Sequence, residues 1–295
     1  FLGRLYALST MIRTEQLSHI YSQGTVFEQA AIRNVNLKIE KGEFVGVIGH
    51  TGSGKSTLIQ HLNGLLRPTS GKVYIGGEDI WAKPKEIRRF RFQVGLVFQY
   101  PEYQLFEDTV YKDISFGPRN MGLNEEEIDR RVRQAAAFVE LKEATLQKSP
   151  FELSGGQKRR VAIAGVIAMS PDVLILDEPT AGLDPRGRDR ILGEIKEYHQ
   201  QQKATVLLVS HSMEDIARYA SKVLVMNQAE VFLYDTVEAV FSRGSEMEEM
   251  GLNIPQITRI CRQLAEQGIP ISPQTYTVES ARDQILGILQ KRGVK

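Results

Sequence analysis

The stretch GHTGSGKST, residues 49–57, decides the fold, because it has the form of a loop that holds phosphate groups. It fits the pattern G-x-x-x-x-G-K-[ST], in which glycines let the backbone wrap closely and point its N–H groups inward. The short apolar run EFVGVIG (43–49) precedes the loop, and the helically spaced TLIQHLNGLL (57–66) follows it. A loop that joins a strand to a helix N-terminus also gains the positive end of the helix dipole. We therefore predict a polyphosphate site here.

Two side chains of this loop have predicted roles. The Lys55 ammonium would reach the β- and γ-phosphates of a nucleotide, and the Ser56 hydroxyl would be a ligand of Mg²⁺. The alternative is a glycine-rich turn that serves packing alone. The predicted phosphate-binding residues are Gly49, His50, Thr51, Gly52, Ser53, Gly54, Lys55, Ser56 and Thr57. No role is predicted for the side chains of His19, His50, His61 and His199.

A second part of the site is predicted at VLILDE, residues 173–178, which reads as an apolar strand ending in two carboxylates. A strand buried on both faces delivers Asp177 to its C-terminal edge, where α/β sheets place their ligands. Asp177 would hold Mg²⁺, directly or through water, and Glu178 would orient and deprotonate an attacking water as general base. The alternative is that both acids cap the turn that follows them.

The rest of the chain alternates short apolar runs with helical patterns, which is typical of a mainly parallel sheet covered on both faces. Residues 33–39 alternate apolar and polar positions, as in a strand with one buried face. From about 108 to 170 the pattern is helical, which predicts a helical subdomain inserted into the α/β core. In it, Asn124 is the expected N-cap of a helix and Glu127 occupies the capping-box position. The other apolar runs are 94–98, 173–176, 205–209 and 222–226.

Composition excludes several classes of protein. The 295 residues carry a formal net charge of +1, so bulk electrostatics do not favour nucleic acid as a partner. The one cysteine, Cys261, excludes an internal disulfide and a cysteine-cluster metal site, and predicts a reducing compartment. No apolar run approaches the roughly 18–20 residues that span a bilayer. Residues 1–10 are interpreted as a non-native remnant, with a natural amphipathic leader as the alternative.

The pentapeptide LSGGQ, residues 153–157, closely resembles the signature of ABC-transporter ATPases. The resemblance covers roughly residues 12–235 and implies a P-loop NTPase core, an antiparallel N-terminal β part, and the ligands ATP and Mg²⁺. The further matching positions, in order, are Tyr21 for the aromatic that stacks on adenine, Gln99 for the Q-loop glutamine, AGLD at 181–184 for the D-loop, and His211 for the switch histidine.

Each of these matching residues has a role implied by the resemblance and a simpler alternative. Gln99 would be a metal ligand, and it would act in catalysis with Glu178 and His211; otherwise Gln99 is a solvated loop residue. His211, between two serines, could instead be a histidine at the start of a helix. Tyr21 could be a simple aromatic residue at a strand end.

The signature carries a further implication, because Ser154, Gly155 and Gly156 open a helix and so make a second anion-binding N-terminus. In the family this second cradle, with Gln157, closes over the γ-phosphate held by a partner subunit, and Asp184 of the D-loop lies beside the nucleotide. Each motif occurs once in this chain. Two complete sites therefore require two chains arranged head to tail, with ATP between them.

The segment FQYPEYQLFED, residues 98–108, places four aromatic and three acidic residues around Gln99. In ABC ATPases this region forms the groove that receives a coupling helix of the membrane subunit, and the aromatic residues would make that docking surface. The acids Glu102, Glu107 and Asp108 would meet basic residues of the partner. The alternative is that the two phenylalanines close the core at this joint.

The sequence is also similar to a narrower group, the ATPase subunits of energy-coupling factor transporters, which import vitamins and transition-metal ions in prokaryotes. The similarity lies in residues 98–122, in the signature helix and in DEPTAGLDPRGR. That implies a second ABC ATPase subunit, a paralogue or a second copy, and a transmembrane coupling subunit docking near Gln99–Asp108. It also implies a substrate-binding membrane subunit and a peripheral place on the cytoplasmic face of the membrane. Residues 236–295 would form a helical dimerisation domain after an ATPase domain over 11–235.

Other functions stay open at this point. The chain could be the ATPase of a cobalt or nickel importer, a soluble ABC ATPase of DNA repair or translation, or a nucleotide-sensing module without catalysis. Repair types have long coiled-coil insertions and translation types have two cassettes in one chain, and this sequence has neither. The transported substrate and the choice between homodimer and heterodimer are not predicted.

Overall fold

The computed structural model describes residues 10–291, which form an α/β core joined to a separate antiparallel sheet. The strands are β1 Thr10–Tyr21, β2 Gln29–Glu40, β3 Phe44–Ile48, β4 Ser70–Ile75, β5 Glu78–Asp79, β6 Val94–Val97, β7 Val173–Asp177, β8 Thr205–Val209, β9 Lys222–Asn227 and β10 Glu230–Thr236. The α-helices are α1 Lys55–Leu62, α2 Ile87–Gln93, α3 Val110–Asn120, α4 Glu125–Phe138, α5 Gly155–Ile167, α6 Pro185–Gln202, α7 Met213–Tyr219, α8 Val237–Ser242, α9 Gly244–Glu249, α10 Gln256–Glu266 and α11 Val278–Lys291.

The central sheet has the order β10-β9-β3-β8-β7-β6. Its neighbours are parallel except for the β9–β10 pair, so the predicted mainly parallel sheet is confirmed. All five residues of β3 are buried, as are those of β8, because helices cover both faces of the sheet. The carboxyl ends of β3, β6, β7 and β8 therefore meet at one edge, where the loop 49–54 also lies.

The N-terminal strands form an antiparallel sheet of order β2-β1-β4-β5, which confirms the expected antiparallel part. In β2 the side chains of Val35, Leu37 and Ile39 are buried while their neighbours are more exposed, as the alternating pattern predicts. These side chains pack against α1 and one face of the central sheet in a single apolar core. Helix α1 ends at Leu62, earlier than the apolar pattern to residue 66 suggests.

The inserted segment between β6 and β7 is helical, as predicted, with α3, α4 and α5 packed on one another. Asn124 caps α4, and its side-chain oxygen accepts from the Glu127 amide at 2.9 Å. The expected reciprocal capping-box bond of the Glu127 side chain is wrong. Its carboxylate instead accepts from the Arg130 and Arg131 guanidinium groups, each at 2.6 Å, because charged donors one turn away outcompete a backbone amide.

The C-terminal helices extend the core and then form a small cluster of their own. Phe241 and Met247 are fully buried in the main core, whereas Cys261, Ile271 and Ala281 make a separate apolar cluster between α10 and α11. Over residues 10–291, the helices are all too short or too polar to cross a bilayer.

Glu194 in α6 is a buried carboxylate, 8% exposed, whose two oxygens have no hydrogen-bond partner within the part of the chain described. Burial raises its pKa from 4.5 to about 7. The carboxyl group loses its proton more readily in the unfolded chain than in the folded one. The ionised group therefore lowers the free energy of unfolding. This loss is absent below pH 4.5 and grows as the pH rises to the folded-state pKa of about 7, reaching about 3 kcal/mol at most.

We therefore expect Glu194→Gln to raise the free energy of unfolding above pH 7 by about 1–3 kcal/mol, and to leave it almost unchanged near pH 4.5. Urea unfolding of both proteins across pH 4.5–8.5 measures the difference. A constant difference at every pH would show that the carboxylate does not titrate as described.

Candidate nucleotide-binding site

The loop between β3 and α1 has a backbone that only glycine accommodates at two positions. Gly49 and Gly54 have φ of 153° and 101°, in the left-handed range. A Cβ atom on Gly49 would lie 2.4 Å from the Met226 carbonyl oxygen, and one on Gly54 would lie 2.5 Å from that of Ala31. The loop therefore packs tightly against its own chain on one side and leaves its other side to a ligand.

A cavity of about 480 Å³ opens above this loop. The predicted site residues that line it are Tyr21, Thr51, Gly52, Gly54, Lys55, Ser56, Thr57, Gln99, Asp177, Glu178 and His211. Gln29, Ala31 and Val209 also line it and were not predicted, because nothing in their own sequence context marks them. The cavity joins residues from the antiparallel sheet, the loop and the ends of β6, β7 and β8.

Lys55 is already directed into this loop. Its Nζ donates to the carbonyl oxygens of Gly49 at 2.6 Å and His50 at 3.0 Å. Burial lowers the pKa of the Lys55 ammonium, and the charges of Glu178 and Asp177 oppose that shift. A compact positive charge at the base of a cradle of backbone amides suits a triphosphate.

The predicted Mg²⁺ ligands lie together. The Ser56 hydroxyl donates to Asp177 Oδ2 at 3.4 Å, and Gln99, which follows β6, lines the same cavity. Burial raises the pKa of Asp177, and the hydrogen bond from Ser56 opposes this. A hydroxyl, a carboxylate and an amide oxygen are hard donors, and Mg²⁺ is commonly held by one or two such groups together with substrate phosphates. These residues therefore fit the ion.

Glu178, the predicted general base, directly follows β7 and lines the cavity. Its φ is 49°, an uncommon left-handed conformation for this residue, and its amide donates to the Val209 carbonyl at 3.1 Å. Its Oε1 is buried without a hydrogen-bond partner among residues 10–291, and His211 Nε2 lies 3.6 Å away, beyond hydrogen-bond reach. Burial and then the Asp177 charge raise its pKa to about 7. A carboxylate poised near neutral pH can accept a proton from water efficiently.

Tyr21 is the last residue of β1 and stands at the mouth of the cavity, 40% exposed. The His19 ring meets it edge to face at 4.5 Å, and His19 Nδ1 lies 3.2 Å from His61 Nε2. His61 donates from Nδ1 to the Thr57 carbonyl at 2.7 Å, and burial lowers its pKa to about 4, so its ring is neutral. Two histidines to which no role was assigned therefore link the aromatic residue to helix α1, and no motif could have marked them.

The signature residues are not brought to the cavity of their own chain. Ser154 caps α5 in a capping box with Gln157, and a Cβ atom on Gly155 or Gly156 would meet nothing within 4 Å. Asp184 caps α6 and accepts from the Gly187 amide at 2.7 Å. None of these residues lines the cavity at the phosphate loop. Ser154 and Gly155 lie exposed at a helix N-terminus, open to a group from outside the chain.

The segment 98–108 is partly exposed and partly packed against the core. Phe98 is half-buried against the core, Tyr103 is 84% exposed, and Phe106 is 59% exposed with its ring edge to face on Phe116 at 5.0 Å. An apolar groove of about 440 Å³ runs beside them between α3, α5 and β6. Phe98 therefore packs in the core of the joint, whereas Tyr103 and Phe106 expose ring surface that a partner could contact.

The expectation for Glu102 is wrong. Its carboxylate accepts from Arg159 Nη2 at 2.7 Å and Nε at 3.0 Å, so it is used inside the chain. Asp108 forms an ion pair with Lys112 at 2.9 Å, although both side chains remain exposed. Of the three acids, Glu107 alone has no ion pair to a side chain in the described part of the chain.

A phosphate loop after a central strand, acids at the end of β7, two strands away in the same sheet, and an inserted helical segment with an exposed helix N-terminus together define an ATP-binding cassette. The comparisons agree, since residues 32–181 match the family model described as ABC transporter. The chain belongs to this family and, within it, to the energy-coupling factor transporter ATP-binding proteins, as its curated relatives show.

One such relative is the energy-coupling factor transporter ATP-binding protein EcfA2 of Caldanaerobacter subterraneus subsp. tengcongensis, 55% identical over 96% of this chain and 99% of that protein. The EcfA2 of Clostridium tetani is also 55% identical, over 95% and 98%. Among solved structures, cbiO1 from Clostridium perfringens, part of the ABC transporter complex cbiONQ, is 39% identical with a TM-score of 0.72, covering 84% of this chain and 97% of that one. The cassette MJ0796, solved as a dimer bound to ADP and Pi, is 30% identical with a TM-score of 0.69, covering 77% and 99%.

Proposed function

We propose that this chain is the ATP-binding and ATP-hydrolysing subunit of an energy-coupling factor ABC importer, which powers uptake through partner membrane subunits. The observation that carries the proposal is the cavity where Lys55, Asp177 and Glu178 converge, in a chain 55% identical to EcfA2 proteins over nearly its full length. The alternative of a nucleotide-sensing module without catalysis has less support, because Glu178 lines this cavity with an unpaired buried carboxylate oxygen and a pKa raised to about 7.

In this proposal the chain's own residues bind and orient ATP. The loop amides and Lys55 hold the β- and γ-phosphates, and Tyr21 offers its ring to the adenine. Ser56 and Asp177, with Gln99, would hold Mg²⁺, which neutralises charge on the phosphates when bound. Glu178 takes a proton from water as the water oxygen bonds to the γ-phosphorus and the bond to the bridging oxygen breaks. Burial lowers the pKa of His211, and its Nε2 lies 3.6 Å from Glu178 Oε1, so the ring would position the reacting groups.

The second half of each site comes from another chain. Ser154, Gly155, Gly156 and Gln157 would close over the γ-phosphate held by the partner ATPase, with Asp184 beside it, and hydrolysis would remove the contacts that hold the pair together. The exposure of this helix terminus, outside the chain's own cavity, supports the arrangement. The solved dimer of a related cassette bound to ADP and Pi is consistent with it.

The membrane partner would dock on the groove beside Phe106 and Phe116. The groove is lined mainly by apolar side chains and by small residues such as Gly117 and Gly165, which let a helix approach closely. The complex would place this chain on the cytoplasmic face of the membrane, next to a transmembrane coupling subunit and, through it, a substrate-binding subunit.

Phe106→Asp is expected to weaken assembly with the coupling subunit by at least about tenfold, because it places a charge in an apolar contact. ATP affinity of the isolated chain is expected to stay within about twofold, since Phe106 does not line the nucleotide cavity. Phe232→Asp is the matched control, because Phe232 is also exposed, 41%, but lies on the edge strand β10. Equal effects of both variants on assembly would contradict the docking groove.

The proposed function is tested by phosphate release. The purified chain, alone and after co-purification with membrane subunits from its native membrane, is assayed for hydrolysis of ATP with and without Mg²⁺. Mg²⁺-dependent release by the assembled complex is expected. A complex that binds ATP without releasing phosphate would favour the nucleotide-sensing module, and co-purification with nucleic acid would favour a non-transport ATPase.

A further inference from the structure

Arg159 in α5 connects three segments that the proposed function uses. Its Nε and Nη2 donate to both carboxylate oxygens of Glu102, at 3.0 and 2.7 Å. Its Nη1 donates to the carbonyl oxygens of Ala181 at 2.7 Å and Pro179 at 3.1 Å. One guanidinium group therefore joins the docking segment, the signature helix and the turn between Glu178 and Asp184.

The Arg159–Glu102 pair is buried and has a fixed bidentate geometry. The Arg159 side chain is 3% exposed and that of Glu102 is 14% exposed, so water screens their bond little. A bidentate pair between a planar guanidinium and a carboxylate keeps its geometry only when both groups move together. Glu102 sits in the short 3₁₀ turn Pro101–Gln104, which Tyr100 enters in the left-handed conformation with φ of 54°. A displacement of this turn therefore either carries Arg159 with it or breaks the pair.

We propose that Arg159 is a positioning residue, paired with Glu102, that transmits the position of the docked membrane subunit to the signature segment and to the turn after Glu178. The proposal rests on the proposed function. It also explains why an acid in the docking segment points inward. The docking surface and the half-site lent to the partner ATPase would move as one unit because the buried pair connects them.

A purely structural role is the simpler reading, because buried arginines often satisfy backbone carbonyl groups. The two readings differ in what they expect of Glu102. A structural pair would affect stability alone, whereas a transmitting pair affects how strongly the membrane subunit stimulates ATP hydrolysis. The exposed pair Lys83–Glu86, outside the segment 98–108, supplies a control that removes the same charge without touching Arg159.

The test uses the complete complex in lipid nanodiscs and the ATPase pair without membrane subunits. For each protein, the kcat and KM for ATP are measured in both preparations, and the stimulation factor is the ratio of the two kcat values. Glu102→Gln is expected to reduce this factor by about fivefold or more, as for other losses of coupling between sites. The amide replaces one acceptor oxygen with an N–H group that cannot face the Arg159 donor. The KM and the kcat without membrane subunits are expected to stay within about twofold.

Glu86→Gln is expected to keep the full stimulation factor. Arg159→Lys is expected to act in the same direction as Glu102→Gln, because an ammonium has three donors on one nitrogen and cannot make the bidentate pair and both carbonyl bonds of the guanidinium. The double variant should be no worse than the more affected single one. The role of Arg159 would be overturned, while the proposed function stands, by either of two results. One is a Glu102→Gln complex with the same stimulation factor as the wild-type complex. The other is a wild-type complex whose membrane subunits do not stimulate hydrolysis. Absence of phosphate release from every preparation would instead overturn the proposed function.

Discussion

Glu178→Gln is expected to stop ATP turnover while leaving ATP binding intact. The amide keeps the size and one acceptor oxygen of the side chain, but it cannot take a proton from water, and general-base catalysis contributes about 10²–10⁴ in rate. Bound ATP then persists between two chains, so we expect the variant to accumulate as a closed dimer in the presence of ATP. Phosphate release and size-exclusion chromatography with ATP measure the two effects.

The same carboxylate predicts a pH dependence. Since burial raises the pKa of Glu178 to about 7, hydrolysis by the wild-type chain is expected to fall as pH drops through 7, when the base becomes protonated. Glu194→Gln is the matched control, because Glu194 is also a buried carboxylate with a pKa of about 7 but lies outside the cavity. Unchanged hydrolysis in Glu178→Gln, or equal losses in both variants, would exclude the general-base assignment.

Gly155→Asp is expected to reduce hydrolysis by at least about 10², while ATP binding by the single chain stays within about twofold. The new carboxylate would face the γ-phosphate of the partner's nucleotide, where two like charges repel. The substitution is harmless to its own chain, because a Cβ atom there meets nothing within 4 Å and an acid suits the first turn of a helix.

Gly155→Ala is the control for this position, since it adds the Cβ atom without the charge. We expect Gly155→Ala to retain most of the wild-type hydrolysis. Its thermal unfolding temperature is expected to equal that of Gly155→Asp. Isothermal titration with ATP at concentrations that keep the chain monomeric separates binding from dimer formation. Loss of ATP binding in the monomer would mean that the signature serves its own chain's pocket, and full hydrolysis would mean that it serves none.

Local patterns predicted most of the site. The phosphate loop, the acids at 177 and 178 and the helix that opens at Ser154 all depend on residues a few positions apart, whose spacing sets the backbone geometry directly. The strand runs and the helical insertion were predicted for the same reason, since period two and period 3.6 are local properties. The roles assigned to these residues stay predictions that the variants above test.

Tertiary packing decided which charged groups found partners. Glu102 reads as a surface acid, yet it pairs with Arg159, 57 positions away, and Glu194 reads as an ordinary helix carboxylate, yet it is buried without a partner. His19 and His61 stand 42 positions apart and meet only because the end of β1 lies beside α1 in the folded chain. Spacing along the chain determined where the backbone can hold a phosphate. Which side chains share a charge or lose water depends on distances between segments, and those arise only when the sheet and the helices pack.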